Sequence, residues 1–431
     1  MDRVRLMGRR VLVLGGGGRE HALVRRLASS ASVDAVESAP GNPGTAGLGA
    51  THAVDPSDAD AVSELAADRR VDLVVVGPEA PLVAGVADSL RARDVAVFGP
   101  SAAAARLEGS KSFARQIMAE AGAPSAGYVA TSNRAEAHAA LERFGGPYVV
   151  KADGLAAGKG VRICQDLAAA REAVDDALVK RVFGDAGANL VIEEFLDGPE
   201  RSVFGVCDGT DVVLLAPAQD YKRALDGDEG PNTGGMGAYT PVPGFGVHDA
   251  VVRDLADSVF RPVLRVMAER GTPFRGLLYA GLAETDDGPR LIEFNARFGD
   301  PETQVILPRL DSDLGDLLWA SATGSVADVR VEWTDDARVT IVLASGGYPG
   351  TYARGRPITG LDAADGHPDA HVIHAGTAQT GDATVVTAGG RVLNVVGRGP
   401  DVAAARAAAT EAADQIDFDG LQRRSDIAVG I

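Results

Sequence analysis

Cysteine is nearly absent: Cys164 and Cys207 are the only two in 431 residues. Both sit in strand-like apolar runs, Val161–Cys164 and Val203–Cys207. That placement predicts buried, inert thiols and excludes a disulfide framework or a cysteine-based metal site. No apolar run is long enough to cross a bilayer. Arg9 and Arg10 precede Val11–Leu14 as in an export signal, but four glycines and then Arg19 and Glu20 end that run too soon. A cytoplasmic protein is expected, with no membrane contact. Bases are scarce relative to acids, 42 Lys and Arg against 60 Asp and Glu, giving a formal net charge of -18. No global basic field exists to attract nucleic acid. Small phosphorylated ligands stay open to the chain, because local cations and backbone amides capture them against the overall charge.

The length predicts two or three domains, each with its own core. In the first hundred residues, short apolar runs (Val11–Leu14, Ala35–Ser38, Leu73–Val76, Val95–Phe98) alternate with Ala- and Leu-rich helical patterns. That alternation predicts a doubly wound parallel sheet, whose ligands bind beyond the carboxyl ends of the strands. Three such ends are glycine-rich: Gly15–Gly18, Ala39–Gly44 and Gly77–Glu79. From about Leu107 the pattern changes to a helix, Lys111–Ala121, and then antiparallel strands with covering helices. The polar, glycine-rich stretch Asp220–Tyr239 reads as a long loop without secondary structure, a feature usually functional or disordered. A last unit runs from about Arg338, with strands Val339–Ala344, Val372–Ile373 and Val392–Val395 and a terminal Ala-rich helix.

The most informative stretch is Arg290–Glu302. It alternates Glu293, Asn295 and Arg297 along a strand, so the three side chains share one face. Glu293 and Asn295 offer the oxygen ligands that Mg²⁺ demands, and Arg297 offers a planar fork for a carboxylate or phosphate. Ile292, Phe294 and Ala296 belong in the core. The bland alternative is a half-exposed strand with ordinary outward polar residues. Gly15–His21 partly matches the dinucleotide fingerprint, with Glu37 downstream at ribose distance. Glu20 replaces its third glycine, which leaves an anion site at a helix N-terminus as the better reading. Gly154–Gly160 is not a Walker loop: it is one residue short, lacks Ser or Thr after the lysine, and lies between strands. It reads as a hairpin lid, with Lys151 at its base and Lys159 near its tip; the alternative is a plain hairpin with surface lysines. Lys151 follows apolar Val149 and Val150, and a buried lysine needs an anion. His21 stands beside the first loop, where a ligand would pass. His371 and His374 read as surface or satisfied histidines.

Together these segments resemble the ATP-grasp ligases, and within them the phosphoribosylamine–glycine ligase family. The resemblance runs in family order through Gly17–Leu23, Gly77–Leu82, Leu107–Lys111, Lys151–Val161, Asp226–Tyr239, Glu293–Gln304, Gly346–Gly350 and His374–Thr377. It implies a multidomain α/β and α+β chain: a doubly wound N-terminal domain (1–106), a central ATP-grasp domain of two α+β subdomains (107–326, lid about 123–195) and a small mixed α/β C-terminal domain (327–431). It also implies an ATP-dependent carbon–nitrogen ligase of purine biosynthesis, making glycinamide ribonucleotide, ADP and phosphate from ATP, glycine and 5-phosphoribosylamine.

Residue by residue, the resemblance implies Lys111, Lys151, Lys159, Glu193, Glu194, Phe195, Leu196 and Glu200 for ATP. It implies Glu293 and Asn295 for Mg²⁺ or Mn²⁺, and Arg297 with Lys159 for catalysis. Gly17, Gly18, Glu79, Asn232, Thr233, Gly234, Gly235, Met236, Arg297 and Asp300 would meet the other substrates. A monomer is expected, and 431 residues leave no room for fused purine enzymes. Gly16 stands where relatives often carry Asn or Ser, and the tail Arg423–Ala428 departs from the family ending after Ile427. Three rivals stay open here: another ATP-grasp ligase using a different acid, a binding-only protein that kept the fold, and a nicotinamide dehydrogenase.

Overall fold

Strands Arg9–Gly15 (β1), Val33–Pro40 (β2), Leu73–Val76 (β3) and Ala96–Phe98 (β4) form a parallel sheet in the order β2-β1-β3-β4. The computed structural model describes residues 8–154 and 160–431. Val11–Leu14 and Leu73–Val76 are buried throughout, as continuous apolar strands covered on both faces should be. Helices Gly18–Ala28, Ala59–Asp68 and Ala102–Gly109 connect or follow them, so the predicted doubly wound sheet is present.

Next come Tyr128–Thr131 (β5), Tyr148–Ala152 (β6), Val161–Cys164 (β7) and Leu190–Glu193 (β8), an antiparallel sheet in the order β5-β8-β6-β7. Helices Arg134–Phe144 and Leu167–Leu178 cover it, and Ala137, Leu141, Val150, Ala170, Val174 and Ile192 give it a core of its own. Strands Glu200–Asp208 (β9) and Val212–Leu214 (β10) follow, then Gln219–Asp220 (β11), Arg223–Leu225 (β12), Glu229–Asn232 (β13) and Gly237–Thr240 (β14). The long strands Arg275–Thr285 (β15) and Gly288–Asn295 (β16) complete an antiparallel sheet ordered β10-β9-β15-β16. The last strands are Ala337–Ser345 (β17), Ala370–His374 (β18), Thr377–Gln379 (β19), Val385–Thr387 (β20), Arg391–Gly399 (β21) and Leu421–Gln422 (β22). β11, β14, β17, β21 and β18 form one sheet in that order, with β22 beside β17 and helix Val402–Ala413 packed on it.

Several expectations need correcting. Asp220–Tyr239 is not a structureless loop: β12 and β13 pair as a hairpin, and β14 pairs with β17 as part of the final sheet. Glycines at positive φ, Gly227 (φ 70) and Gly230 (φ 79), turn that hairpin. They disguise two very short strands as a loop in the sequence. Cys207 is buried, and burial pushes its thiol far up, but Cys164 is only half-buried. His21 is also interior. Its Nδ1 accepts a hydrogen bond from the His374 backbone N–H at 2.8 Å, so it ties the first helix to β18. Burial, with His374 and Arg25 nearby, depresses the His21 pKa to about 3. His371 and His374 are half-buried, and His374 Nδ1 lies 3.1 Å from Thr377 Oγ1, in keeping with a satisfied histidine; burial lowers the pKa of both. Glu37 is taken as well: Arg69 donates to both its oxygens at 2.9 Å, and His52 approaches to 2.6 Å. No free carboxylate remains there for a dinucleotide ribose.

Candidate active site

A cleft of about 590 Å³ lies where the β5-β8-β6-β7 layer faces β16, with walls supplied by the first and last sheets. Its floor is β16. Phe294 and Ala296 point into the core at 3 % and 2 % exposure, while Glu293, Asn295 and Arg297 line the cleft, the alternation expected of a strand. Ile292 departs from the expected core position. The β15–β16 register pairs Gly281 with Glu293 but Leu282 with Leu291, so Ile292 is the extra residue of a bulge and Leu291 takes its core place. The bulge leaves the Ile292 carbonyl free to accept from Arg115 Nη2 at 2.8 Å and Lys151 Nζ at 3.2 Å.

Two lysines are set by local chemistry. Ser110 caps the helix Lys111–Glu120, its hydroxyl accepting from Phe113 N at 3.2 Å. Asp153 then accepts from Ser112 N and Ser112 Oγ, each at 2.7 Å, and its carbonyl accepts from Lys111 N at 3.0 Å. The start of this helix is thereby fixed to the end of β6, which carries Lys151. Burial, with Lys151 as a nearby like charge, lowers the Lys111 pKa; Glu293, Asp153 and Glu193 oppose the shift. Lys151 has the anionic partner its burial demands, but the partner is protein: Glu193 Oε2 lies 2.7 Å away. Arg115 grips the same carboxylate, Nε to Oε1 at 2.7 Å, and all three side chains are at most 4 % exposed. Burial alone would raise the Glu193 carboxyl, yet Lys151 and Arg115 hold it below its ordinary value.

At the opposite wall Arg297 is held by acids from the first hundred or so residues. Glu108 Oε1 lies 3.0 Å from its Nη2 and Glu79 Oε2 lies 3.5 Å from its Nε. Glu108 also accepts from Ala296 N at 2.7 Å. Burial raises the Glu108 carboxyl against the pull of Arg297. Arg391 of β21 donates through Nη1 to the carbonyls of Asp300 and Gly234, each at 2.6 Å. One guanidinium thus joins the last sheet to the Asp300 and Gly234 segments, both of which line the cleft.

Lys111, Lys151, Glu193, Glu194, Phe195, Leu196, Glu200, Glu79, Asn232, Thr233, Gly234, Glu293, Asn295, Arg297 and Asp300 all line this cleft. Glu194 turns its carboxylate to Arg290 at 3.0 Å and to Gly127 N at 3.0 Å, leaving its backbone with Phe195 and Leu196 along the β8–β9 connection. Gly17, Gly18, Gly235 and Met236 are not among the lining residues. Gly17 N donates to Glu20 Oε2 at 2.7 Å, and Met236 is fully buried. The wall at the carboxyl ends of β1 and β3 is made by Arg19, Pro78 and Glu79. Gly15 and Gly77 are glycines because the Glu20 side chain crosses where their Cβ atoms would lie, 2.6 and 2.2 Å away. Lys159 lies outside the described residues.

Sequence reasoning missed Arg115, Glu108, Lys222, Tyr279, Asp220, Glu302 and Arg391, which line the same cleft. Arg115 had a signal, four residues after Lys111 on one helix face. Glu108, Glu302, Asp220 and Lys222 lie inside stretches already singled out, Leu107–Lys111, Arg290–Glu302 and Asp220–Tyr239, but were not named as site residues; Tyr279 and Arg391 carry no signal. Lys222 pairs with Glu200, and burial would lower its pKa, but Glu200 and Asp220 hold it well above the ordinary lysine value.

Among the described residues no three His, Cys, Asp or Glu side chains gather as a ready-made metal cage. Glu293 and Asn295 nevertheless fit a hard divalent cation, since Mg²⁺ takes one or two protein oxygens and completes its shell with water and substrate phosphate. Burial would raise the Glu293 carboxyl, and Lys222, Lys151, Lys111 and Arg297 together keep it below its ordinary value, hence anionic.

Two α+β layers closing on a cation-lined cleft, with an acid and an amide on the floor strand, define an ATP-grasp enzyme. The family model described as "Phosphoribosylglycinamide synthetase, ATP-grasp (A) domain" matches residues 109–303, and the N and C domain models of the same synthetase match 9–108 and 338–430. A phosphoribosylamine–glycine ligase of Streptomyces coelicolor is 56% identical over 422 residues, 97% of this chain and 98% of that one. The crystal structure of phosphoribosylamine–glycine ligase from Thermotoga maritima superposes with a TM-score of 0.82 at 33% identity, covering 97% of this chain and 100% of the other. The biotin carboxylase domain of Hydrogenobacter thermophilus 2-oxoglutarate carboxylase, in complex with MgADP and bicarbonate, shares the fold alone: TM-score 0.71 at 16% identity, 97% and 92% covered. The chain belongs to the phosphoribosylamine–glycine ligase family. That membership removes the dehydrogenase reading.

Proposed function

We propose that the chain joins glycine to 5-phosphoribosylamine with ATP in purine biosynthesis, and that the cleft on β16 is where it does so. One observation carries the site assignment: Glu293, Asn295 and Arg297 share a cleft with Lys111 and Lys151, walled by Asn232, Thr233 and Gly234. Glycine's carboxylate is a poor electrophile. One of its oxygens attacks the γ-phosphorus of ATP, ADP leaves, and glycyl phosphate forms. The amine of phosphoribosylamine then attacks the carbonyl carbon, phosphate departs with the bonding electrons, and the new amide nitrogen loses a proton. Such phosphoryl transfer depends on positioning and charge neutralisation.

Lys111 and Lys151 would hold the ATP phosphates, with Lys159 as a third cation for them. The β8–β9 connection at Glu193, Glu194, Phe195 and Leu196, with Glu200, would take adenosine, through backbone groups where Glu193 and Glu194 turn their carboxylates to protein cations. Glu293 and Asn295 would hold a divalent ion, Mg²⁺ or Mn²⁺, whose charge offsets that of the phosphates. Arg297 would stabilise the acyl-phosphate oxygens or the glycine carboxylate. Glu79, with Gly17 and Gly18, would receive the phosphoribosyl group, and Asp300 with Asn232 to Met236 would enclose the two smaller substrates.

We divide the chain into working parts near 106 and 326, with a lid at about 123–195, whose separate core suits independent movement. A cytoplasmic monomer is the form we propose. No helix among the described residues is long and apolar enough to cross a membrane. In an ADP-release assay, turnover should require both glycine and phosphoribosylamine and should reject alanine. Release that ignores phosphoribosylamine, or accepts alanine equally, would point to a different acid-activating ligase.

A further inference from the structure

The residues after the last helix are tied to the hairpin that walls the cleft. Arg424 is 1 % exposed although it carries a full charge. Its Nε and Nη2 donate to the two oxygens of Asp426 at 2.7 and 2.6 Å. Its Nη1 donates to Asp228 Oδ1 at 2.7 Å and to the Arg223 carbonyl at 3.2 Å, and the guanidinium lies 5.0 Å from the centre of the Tyr221 ring. A charge so buried persists only where its donors are satisfied, and here the hairpin supplies half of the partners.

The neighbouring residues repeat the pattern. Ser425 N donates to Asp226 Oδ1 at 2.8 Å, and its hydroxyl bonds the other oxygen. Gly227 N donates to Asp426 Oδ2 at 2.8 Å, and Ala428 N donates to the Tyr221 hydroxyl oxygen at 2.9 Å. From behind, Arg406 of the last helix donates to the carbonyls of Ile427 at 3.0 Å and Ser425 at 2.8 Å, so the segment itself is braced.

The hairpin transmits this hold to the cleft. The Lys222 carbonyl accepts from Thr233 N at 2.7 Å and Thr233 Oγ1 at 2.9 Å, so Asn232, Thr233 and Gly234 follow the strand that the last residues grip. A two-stranded hairpin this short and glycine-rich does not keep one shape unaided.

We infer that residues 424–428 form a positioning clasp, which holds the 223–234 hairpin in the shape that receives glycine and phosphoribosylamine. Arg424 lines no part of the cleft and acts only through the hairpin. The inference rests on the proposed reading that Asn232, Thr233 and Gly234 wall the substrate site.

The test uses the full chain carrying Arg424→Ala, read by amide hydrogen exchange over 226–234 and by steady-state kinetics. Exchange there should quicken by about tenfold or more, and KM for glycine and phosphoribosylamine should each rise by about tenfold, while ATP affinity stays within about threefold. Unchanged exchange would overturn the clasp. So would an equal loss of ATP affinity, the mark of a general loss of fold. Asp226→Ala, at an exposed position, should give the same pattern at smaller amplitude and serves if Arg424→Ala does not fold; unchanged exchange there is equally fatal. Asn232→Ala separates the two readings: unaltered KM values in that variant sink the wall assignment, while the exchange data judge the clasp alone.

Discussion

Glu293→Ala should reduce glycine-dependent ADP release by about a thousandfold or more, equivalent to about 4 kcal/mol of lost transition-state stabilisation. The substitution removes the anionic oxygen of the proposed metal pair and leaves Lys222, Lys151, Lys111 and Arg297 facing one another without it. The fold should survive, because Glu293 lines the cleft while Leu291, Phe294 and Ala296 anchor the strand in the core. Circular dichroism and a single-turnover measurement with saturating ATP and glycine would distinguish lost chemistry from lost structure. Full activity in the variant would remove the metal assignment.

Glu193→Ala should be the most damaging change to stability. It deletes the shared partner of Arg115 and Lys151 and leaves two cations buried without their carboxylate. Breaking a buried ion pair from one side costs about 3–5 kcal/mol, since the desolvation of the survivors is no longer offset. Urea unfolding followed in the central region should show that loss, and ATP affinity should fall with it as Lys151 relaxes from its place beside the Ile292 carbonyl. A change within about 0.5 kcal/mol, the range of an ordinary surface substitution, would show that the triad is better solvated than its geometry implies.

How far the sequence could be read depended on the range of the interactions involved. The parallel sheet was legible because Val11–Leu14 and Leu73–Val76 are unbroken apolar runs, and the β16 floor was legible because alternation along one strand is local. The bulge at Ile292 was not: it depends on how β15 pairs with β16, and nothing in residues 290–302 alone announces an extra residue. The structure of the 223–240 region was hidden for a related reason. β14 is a strand because β17, about a hundred residues later, lies beside it, and the hairpin before it is held by Arg424 and Asp426. Lys151 was rightly expected to need an anion, but sequence could not tell a phosphate from Glu193. Glu79 was named from the sequence, but that Glu79 and Glu108 hold Arg297, and that Arg391 spans Asp300 and Gly234, became visible only when distant segments met.

Everything proposed for catalysis requires that β16 grip a nucleotide-bound metal. A crystal structure of the protein with ADP and Mg²⁺ tests this directly. The ion should be bound by side-chain oxygens of Glu293 and Asn295 at about 2.1 Å, with the remaining positions filled by phosphate and water. An ion coordinated elsewhere in the cleft, with both of those side chains unengaged, would contradict it.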